Sequence, residues 1–359
     1  MSAYDNTYVA IMAGGIGSRF WPASRTHRPK QFLDILGVGK SLIQLTAERF
    51  LNLCPKENIF IVTNAIYKDL VMEHLPFLTE NQILCEPSRN NTAPCVAYTA
   101  FKLQQINPNA NFIVAPSDHI ILNESKFIET VKKGLAFTAT NNALLTLGIA
   151  PTRPDTGYGY IKFNQQGDNG IHKVEQFTEK PDLKTAKQFV ASGNYVWNAG
   201  IFIWNANSII SAFDKYAHEI YAILKDDVVY NTNKEQAFID EKYPTTPKIS
   251  IDYAIMEKAD NVYTIPSEFG WSDLGTWGSL HSESDHDDDK NAINGVTVLE
   301  DTKNCLIRLP KNKLAVIKGL DNFIIVDEGD VLLIYPKDKE QEIKAITASI
   351  RANKGNVFL

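Results

Sequence analysis

The stretch Val9-Ala10-Ile11-Met12-Ala13-Gly14-Gly15-Ile16-Gly17-Ser18-Arg19 decides the fold class, because a short apolar run ends abruptly in glycines. A run of that length bounded by glycine reads as a buried strand. The glycines after it leave backbone amides unobstructed by side chains and able to surround phosphate oxygens. Just downstream, Leu42, Leu45, Phe50 and Leu53 are spaced for one helix face over 41–53. The opening therefore reads strand, loop, helix.

The pattern recurs along the chain. Residues 59–63 are apolar and β-branched, 93–105 carry a helical pattern, and 111–115 form another apolar run ending at Pro116-Ser117-Asp118. Strands alternating with helices predict an α/β fold of Rossmann-like type, with a doubly wound, mostly parallel mixed sheet. Shorter β-rich pieces at 144–149, 159–163, 172–177 and 200–204 are expected to continue that sheet. The acidic run Asp285-His286-Asp287-Asp288-Asp289-Lys290 has no apolar periodicity. It marks a boundary between a large domain at 1–285 and a small C-terminal domain at 290–359. Past it, β-type runs at 296–299, 305–309, 314–317, 323–326 and 331–335 are spaced closely enough for a small β-rich domain, either β-helix-like or a sandwich.

Composition narrows the function. A formal charge of -6 over 359 residues argues against a broad nucleic-acid-binding face, so a polyanionic ligand must be held by a local cluster of cations. The four cysteines are scattered, without a C-x-x-C pair, as expected of reduced thiols in a cytoplasmic protein. The N-terminus lacks a basic region followed by an apolar stretch, and no run approaches the ~20 apolar residues of a membrane helix. The seven histidines show no zinc-ligand spacing, and His119 is read as a packing or outer-sphere residue.

Two familiar phosphate loops are excluded by glycine spacing. A dinucleotide fingerprint G-x-G-x-x-G needs a third glycine where the chain has Phe20. Gly39-Lys40-Ser41 imitates the end of a P-loop, yet the first glycine of that motif would fall on Asp34. Ser41 is instead read as the cap of the following helix.

What remains is Gly14-Gly15-Ile16-Gly17-Ser18-Arg19, then Trp21-Pro22-Ala23-Ser24-Arg25, then Pro29-Lys30-Gln31-Phe32. This combination resembles the sugar-1-phosphate nucleotidyltransferases, whose signature is a Gly-rich loop, an Arg, and a Pro-Lys about a dozen residues later. The Trp21-Pro22 and Pro29-Lys30-Gln31-Phe32 variants are similar to the GDP-mannose branch in particular, and the resemblance extends over residues 7–280. It implies transfer of GMP from GTP to mannose 1-phosphate. Gly14, Gly15, Gly17 and Ser18 would then cradle the nucleotide, and Arg19 and Lys30 would be catalytic.

Ser117-Asp118-His119 follows a strand, at the end where open α/β sheets bind ligands. Mg²⁺ takes one or two carboxylates and completes its shell with water and phosphate oxygens, so a second acid is expected. Asp273 in Gly270-Trp271-Ser272-Asp273-Leu274-Gly275 is the candidate, and both aspartates match the family's metal positions. Read alone, an Asp after a strand is more often a turn or helix cap, and the two matched contexts together reverse that preference.

The resemblance also places Gly159, Glu179, Lys180 and Asn198 around the sugar phosphate, with Glu179 and Asn198 on the sugar and Lys180 on its phosphate. Without it, Glu179-Lys180 is an ordinary solvated pair. The turn Glu86-Pro87-Ser88-Arg89-Asn90-Asn91-Thr92 is similar to the family's base-reading turn, which assigns Glu86, Asn91 and Thr92 to the nucleotide. Many relatives have Arg directly before Asn-Thr, where this chain has Asn90. A Glu86 carboxylate could accept from N1–H and the amino group of guanine, a pair of donors adenine lacks.

The expected partners are GTP and mannose 1-phosphate, with Mg²⁺ as cofactor, no nucleic acid, no membrane, and a possible homodimer. Alternatives are another NTP and sugar 1-phosphate pair, or a catalytically silent sugar-nucleotide-binding regulatory subunit. Longer relatives carry an added isomerase domain. The chain stops at Leu359, and no isomerase activity is expected.

Overall fold

The computed structural model describes residues 6–359. The chain packs as two compact units that interleave in sequence. The first comprises the chain up to Gly14, Thr46–Ser117 and Ile121–Trp271, and the second Gly15–Leu45, Asp118–Ile120 and Ser272–Leu359.

The first unit is built on a nine-stranded sheet. Its strands are β1 Thr7–Met12, β2 Ile59–Asn64, β3 Ile83–Glu86, β4 Asn111–Pro116, β5 Leu144–Ile149, β6 Tyr160–Phe163, β7 His172–Thr178, β8 Tyr195–Asn205 and β9 Val262–Ser267. Their spatial order is β3-β2-β1-β4-β8-β5-β9-β7-β6. The first four pair in parallel, with Val9 opposite both Ile59 and Ile113, whereas β8 runs antiparallel to β4 and β5. The expected α/β class is what forms, the sheet is mixed, and the β-rich middle of the chain belongs to it.

The parallel strands are buried on both faces, which is why 9–12, 59–63 and 111–115 read as continuous apolar runs. The helix Thr92–Ile106 is buried from Ala93 to Leu103. Glu124–Thr140 buries Phe127, Val131 and Leu135. At Gly134 a Cβ would sit 2.7 Å from Ile203 Cδ1, so glycine permits this helix to lie close against the sheet. β1 and β4 are adjacent, and Ser117 N–H donates to Met12 O at 3.0 Å, tying their carboxyl ends together.

In the second unit, the segment after Gly15 shares a core with the chain's last quarter. Phe20, Trp21, Ile35 and Leu42 pack with Trp277, Leu306, Ile324 and Val326. The Phe20 and Trp277 rings lie 4.8 Å apart. Both indoles are satisfied by remote carbonyls, Trp277 by Trp21 O at 3.1 Å and Trp21 by Phe358 O at 2.7 Å. Arg25 donates through both terminal nitrogens to Asp330 at 2.7 and 3.1 Å, and Arg308 donates to the carbonyls of Asp34 and Ile35. This bracing holds the loop that carries Arg19 and Lys30.

The C-terminal strands stack in parallel without helical crossovers. Ala292–Asn294, Leu306–Arg308 and Phe323–Asp327 form one ladder, and Val296–Glu300 pairs with Leu314–Lys318 in another. Parallel neighbours joined by short coils are the mark of a β-helix-like turn, as the β-rich texture predicts. Cys305, Ile307, Leu309 and Ile325 fill its interior, and the antiparallel strand Leu332–Pro336 closes the ladder. The three-residue strand at 292 is too short to read from the sequence, and the closing helix Ile343–Lys354 buries only Ile343, which leaves little apolar periodicity to read.

Candidate active site

The second unit brings together the two residues expected to be catalytic, Arg19 and Lys30, and the two expected to hold a metal, Asp118 and Asp273. Lys30 opens a single 3-10 turn after Pro29, and its side chain is 3% exposed. Its ammonium donates to Asp118 Oδ2 at 2.8 Å and to the Asp273 carbonyl at 3.1 Å, and it lies 5.3 Å from the Phe20 ring centre. Arg19 Nη1 donates to Gly275 O at 3.3 Å. Gly275 N–H in turn donates to Asp273 Oδ1 at 3.2 Å.

Glycine is required at one point of this cluster and packs closely at a second. Gly17 has φ +66°, and a Cβ there would lie 2.5 Å from Lys30 Cβ. At Gly275 a Cβ would lie 2.8 Å from Asp273 Oδ2 and 3.3 Å from Arg19 Nη1. The loop is braced by Gln31 Nε2 donating to Gly15 O at 3.0 Å and by the Ser24 hydroxyl donating to Ile16 O. Ser18 begins the 3-10 turn that carries Arg19.

Burial disfavours the ionised form of Asp118, but the Lys30 ammonium and His119 outweigh it and hold the carboxyl below the ordinary range. Asp118 is therefore a carboxylate at neutral pH. Among the described residues there is no cluster of three or more His, Cys, Asp or Glu able to hold a metal. Two hard carboxylates in the cluster around Lys30 and Gly275 nevertheless fit Mg²⁺, which leaves much of its shell to water and substrate oxygens.

The first unit carries the other two groups. Glu86 ends β3 and is 7% exposed. The Tyr243 hydroxyl donates to its Oε1, and its Oε2 lies 3.3 Å from where a Cβ of Gly14 would be. Burial pushes the Glu86 carboxyl up to about 7, against the opposing hydrogen bonds from Tyr243 and Cys95 and the charge of Arg89. Asn91 takes φ +69° and caps the helix at 92 by accepting from Thr92 N–H at 2.9 Å. Thr92 Oγ1 accepts from Ile251 N–H at 2.9 Å.

Arg89 reaches Tyr67, donating to its hydroxyl at 2.8 Å. Asn90 is fully buried, and its amide faces the carbonyls of Tyr243 and Thr246 at 3.0 and 2.9 Å and Thr246 Oγ1 at 2.9 Å.

Gly159, Glu179, Lys180 and Asn198 also converge. Asn198 N–H donates to Gly159 O at 2.8 Å and Lys180 N–H to Tyr158 O at 3.2 Å. The Lys180 ammonium pairs with Glu179 Oε1, while Glu179 Oε2 is buried with no hydrogen-bond partner. A Cβ on Gly159 would sit 2.4 Å from that oxygen. The Glu179 side chain is 5% exposed, so the alternative of a solvated surface pair does not hold. A buried carboxylate oxygen without a donor is an acceptor awaiting one.

Asn198 is pinned at both ends. Its Oδ1 accepts from Thr146 Oγ1 at 2.8 Å and Gly200 N–H at 3.1 Å, and its Nδ2 donates to Asp252 Oδ1 at 2.9 Å. Sequence reasoning misses Asp252, as it misses Tyr243. Asp252 opens a π-helical turn at Asp252–Met256, a distortion frequent at functional sites but without a sequence signature. Burial first, and then repulsion from Glu179, raise its carboxyl to about 7 despite Lys180.

These geometries define a phosphate-handling α/β enzyme, and comparison with known proteins gives its class. The nucleotidyl transferase family model matches residues 8–290. A mannose-1-phosphate guanylyltransferase of Salmonella muenchen is 36% identical over 353 residues, covering 96% of this chain and 74% of that protein. The xanthan biosynthesis protein XanB of Xanthomonas campestris is 35% identical, covering 95% of this chain and 73% of its own length. A crystal structure described as mannose-1-phosphate geranyltransferase from Thermus thermophilus superposes with a TM-score of 0.85 at 29% identity, covering 96% of this chain and 99% of that one. The chain belongs to the nucleotidyl transferase family and is an enzyme of that class. No helix among the described residues is long and apolar enough to cross a membrane.

Proposed function

We propose that this enzyme is a mannose-1-phosphate guanylyltransferase, forming GDP-mannose and pyrophosphate from GTP and mannose 1-phosphate. The observation that carries the reading is the cluster in which the buried Lys30 ammonium joins Asp118 and the Asp273 carbonyl, with Arg19 linked to Asp273 through Gly275. The guanylyltransferase named among its relatives, similar over nearly the whole chain, supports the choice of substrates.

A sugar phosphate monoester has a second pKa near ~6, so at neutral pH it is already largely the dianionic nucleophile, and no general base is needed. An oxygen of mannose 1-phosphate forms a bond to the α-phosphorus of GTP as the bond to the bridging β-phosphate oxygen breaks. The electron pair leaves with pyrophosphate. Two polyanions must be brought together and charge stabilised on the departing group. Lys30 and Arg19 supply fixed positive charge for this, and Gly14, Gly15, Gly17 and Ser18 offer backbone close to the phosphates. Asp118 and Asp273 would hold Mg²⁺, which when bound supplies further charge neutralisation and orientation of phosphate oxygens.

Lys180 serves the sugar phosphate. The unpartnered Glu179 Oε2 accepts from sugar hydroxyls, Asn198 donates to them, and Gly159 leaves the room. Glu86 receives the donors of guanine, with Asn91 and Thr92 shaping the turn beside it. Residues 1–285 act as the catalytic domain, in line with the span of the family match, and 290–359 as an accessory β-rich domain that serves association into a homodimer. The four free, buried thiols fit the cytoplasm as the compartment of the reaction.

Incubating the protein with each NTP and sugar 1-phosphate while measuring pyrophosphate release tests this directly. GTP with mannose 1-phosphate should give the highest kcat/KM. A higher value for UTP, dTTP or ATP with glucose 1-phosphate overturns the assignment.

A further inference from the structure

We propose that Tyr243 is a positioning residue for base discrimination, its hydroxyl orienting the Glu86 carboxylate toward the donor edge of guanine while Asn90 holds Tyr243 in place. The inference rests on the reading of Glu86 as the base acceptor.

Asn90 is the start of the argument, because its amide is fully buried within the turn. A buried amide must find acceptors for its two N–H groups. Asn90 finds them on the 243–246 turn, in the carbonyls of Tyr243 and Thr246 and the Thr246 hydroxyl. Thr246 Oγ1 also donates back to Tyr243 O at 2.8 Å, and Thr246 N–H donates to the same carbonyl at 3.1 Å. The backbone that carries Tyr243 is thus fixed from two sides, and the phenol ring is fully buried.

A phenol hydroxyl buried in this way must donate, and the acceptor it meets is Glu86 Oε1. That bond fixes the plane of the carboxyl group. The other oxygen faces Gly14, where no side chain intrudes. Guanine offers two donors at fixed spacing, N1–H and the 2-amino group, and both are met only by a carboxylate held in their plane. Hypoxanthine keeps N1–H but lacks the 2-amino group, and adenine lacks both. Loss of orientation at Glu86 therefore weakens the preference for GTP over inosine triphosphate. A Tyr243 that merely filled space would affect melting without moving that ratio.

The test compares kcat/KM for GTP and for inosine triphosphate, with mannose 1-phosphate, in the full chain and in E86Q, Y243F and Asn90→Ala. Y243F should lower the GTP to inosine triphosphate ratio by roughly 3–10-fold. Most of the loss should lie in KM for GTP, with KM for mannose 1-phosphate unmoved. Asn90→Ala should shift the ratio in the same direction, and it carries the test if Y243F does not melt cooperatively. A ratio unmoved in Y243F or, where that variant is unfolded, in Asn90→Ala, while E86Q collapses it, overturns the role of Tyr243 alone. A ratio unmoved in E86Q overturns the reading of Glu86 and this inference with it.

Discussion

The Lys30 ammonium donates to Asp118 Oδ2 at 2.8 Å, joining two sequence motifs 88 positions apart. The pair sits in a unit whose other member near the ammonium, Asp273, comes from a third distant segment. A cation so placed is held in advance of the substrate, and charge stabilisation that needs no reorganisation is worth most in such a site.

Replacing Lys30 by Met should lower kcat/KM by roughly 1000-fold or more, since a fixed charge facing the phosphates is removed. The fold should persist, at a cost of about 1–3 kcal/mol for leaving Asp118 without its partner. Steady-state pyrophosphate release and thermal melting check both parts. Near-normal turnover would remove Lys30 from the mechanism.

Gly17→Ala should damage the same cluster through the backbone. At φ +66° a side chain is strained, and its Cβ would press on Lys30 at 2.5 Å. A destabilisation on the order of 1–3 kcal/mol is expected, together with loss of activity. An unchanged melting temperature and unchanged rate would contradict the packing described.

Chelation should abolish activity if Asp118 and Asp273 hold a divalent cation. Dialysis against EDTA is expected to stop pyrophosphate release, and Mg²⁺ should restore it. Full activity after exhaustive chelation would remove the metal from the proposal.

Asp252 should matter to the sugar and not to the base, because it acts through Asn198. Asp252→Ala is expected to raise KM for mannose 1-phosphate by roughly tenfold, as befits one lost hydrogen bond to a charged group. KM for GTP should stay in place. Asp252→Asn, which can still accept from Asn198, should restore much of the loss, and equal damage in both variants would tell against this route.

Glu86 makes a prediction about pH. Its folded value of about 7 lies above the ordinary 4.5, so the native state holds the proton more tightly than the unfolded chain. The stabilisation is complete below the lower value and is lost as pH rises through the upper one. Wild type should therefore lose melting temperature relative to E86Q between about pH 5 and about pH 8. A difference that is constant across that window would refute the burial argument.

Much of this is legible in the residues. The strand, loop and helix at the start follow from local apolar spacing, and the glycines can be tested against two other phosphate loops by position alone. Asp118 follows from the rule that ligands sit at the carboxyl ends of parallel strands. Tyr243 and Asp252 do not emerge this way, because their side chains matter only through partners 157 and 54 positions away. No local pattern encodes such a contact.

The sequence by itself therefore determined the α/β class, the Gly-rich loop with Arg19 and Lys30, and the chemistry those residue types can perform, since propensity, periodicity and charge are local properties. Only the tertiary structure decided that residues 15–45 and 118–120 pack with the C-terminal quarter, that Glu179 keeps a buried oxygen unpaired, and that Asn90 braces Tyr243. Those outcomes depend on which remote surfaces bury one another and which buried polar atoms find partners, and long-range packing settles both.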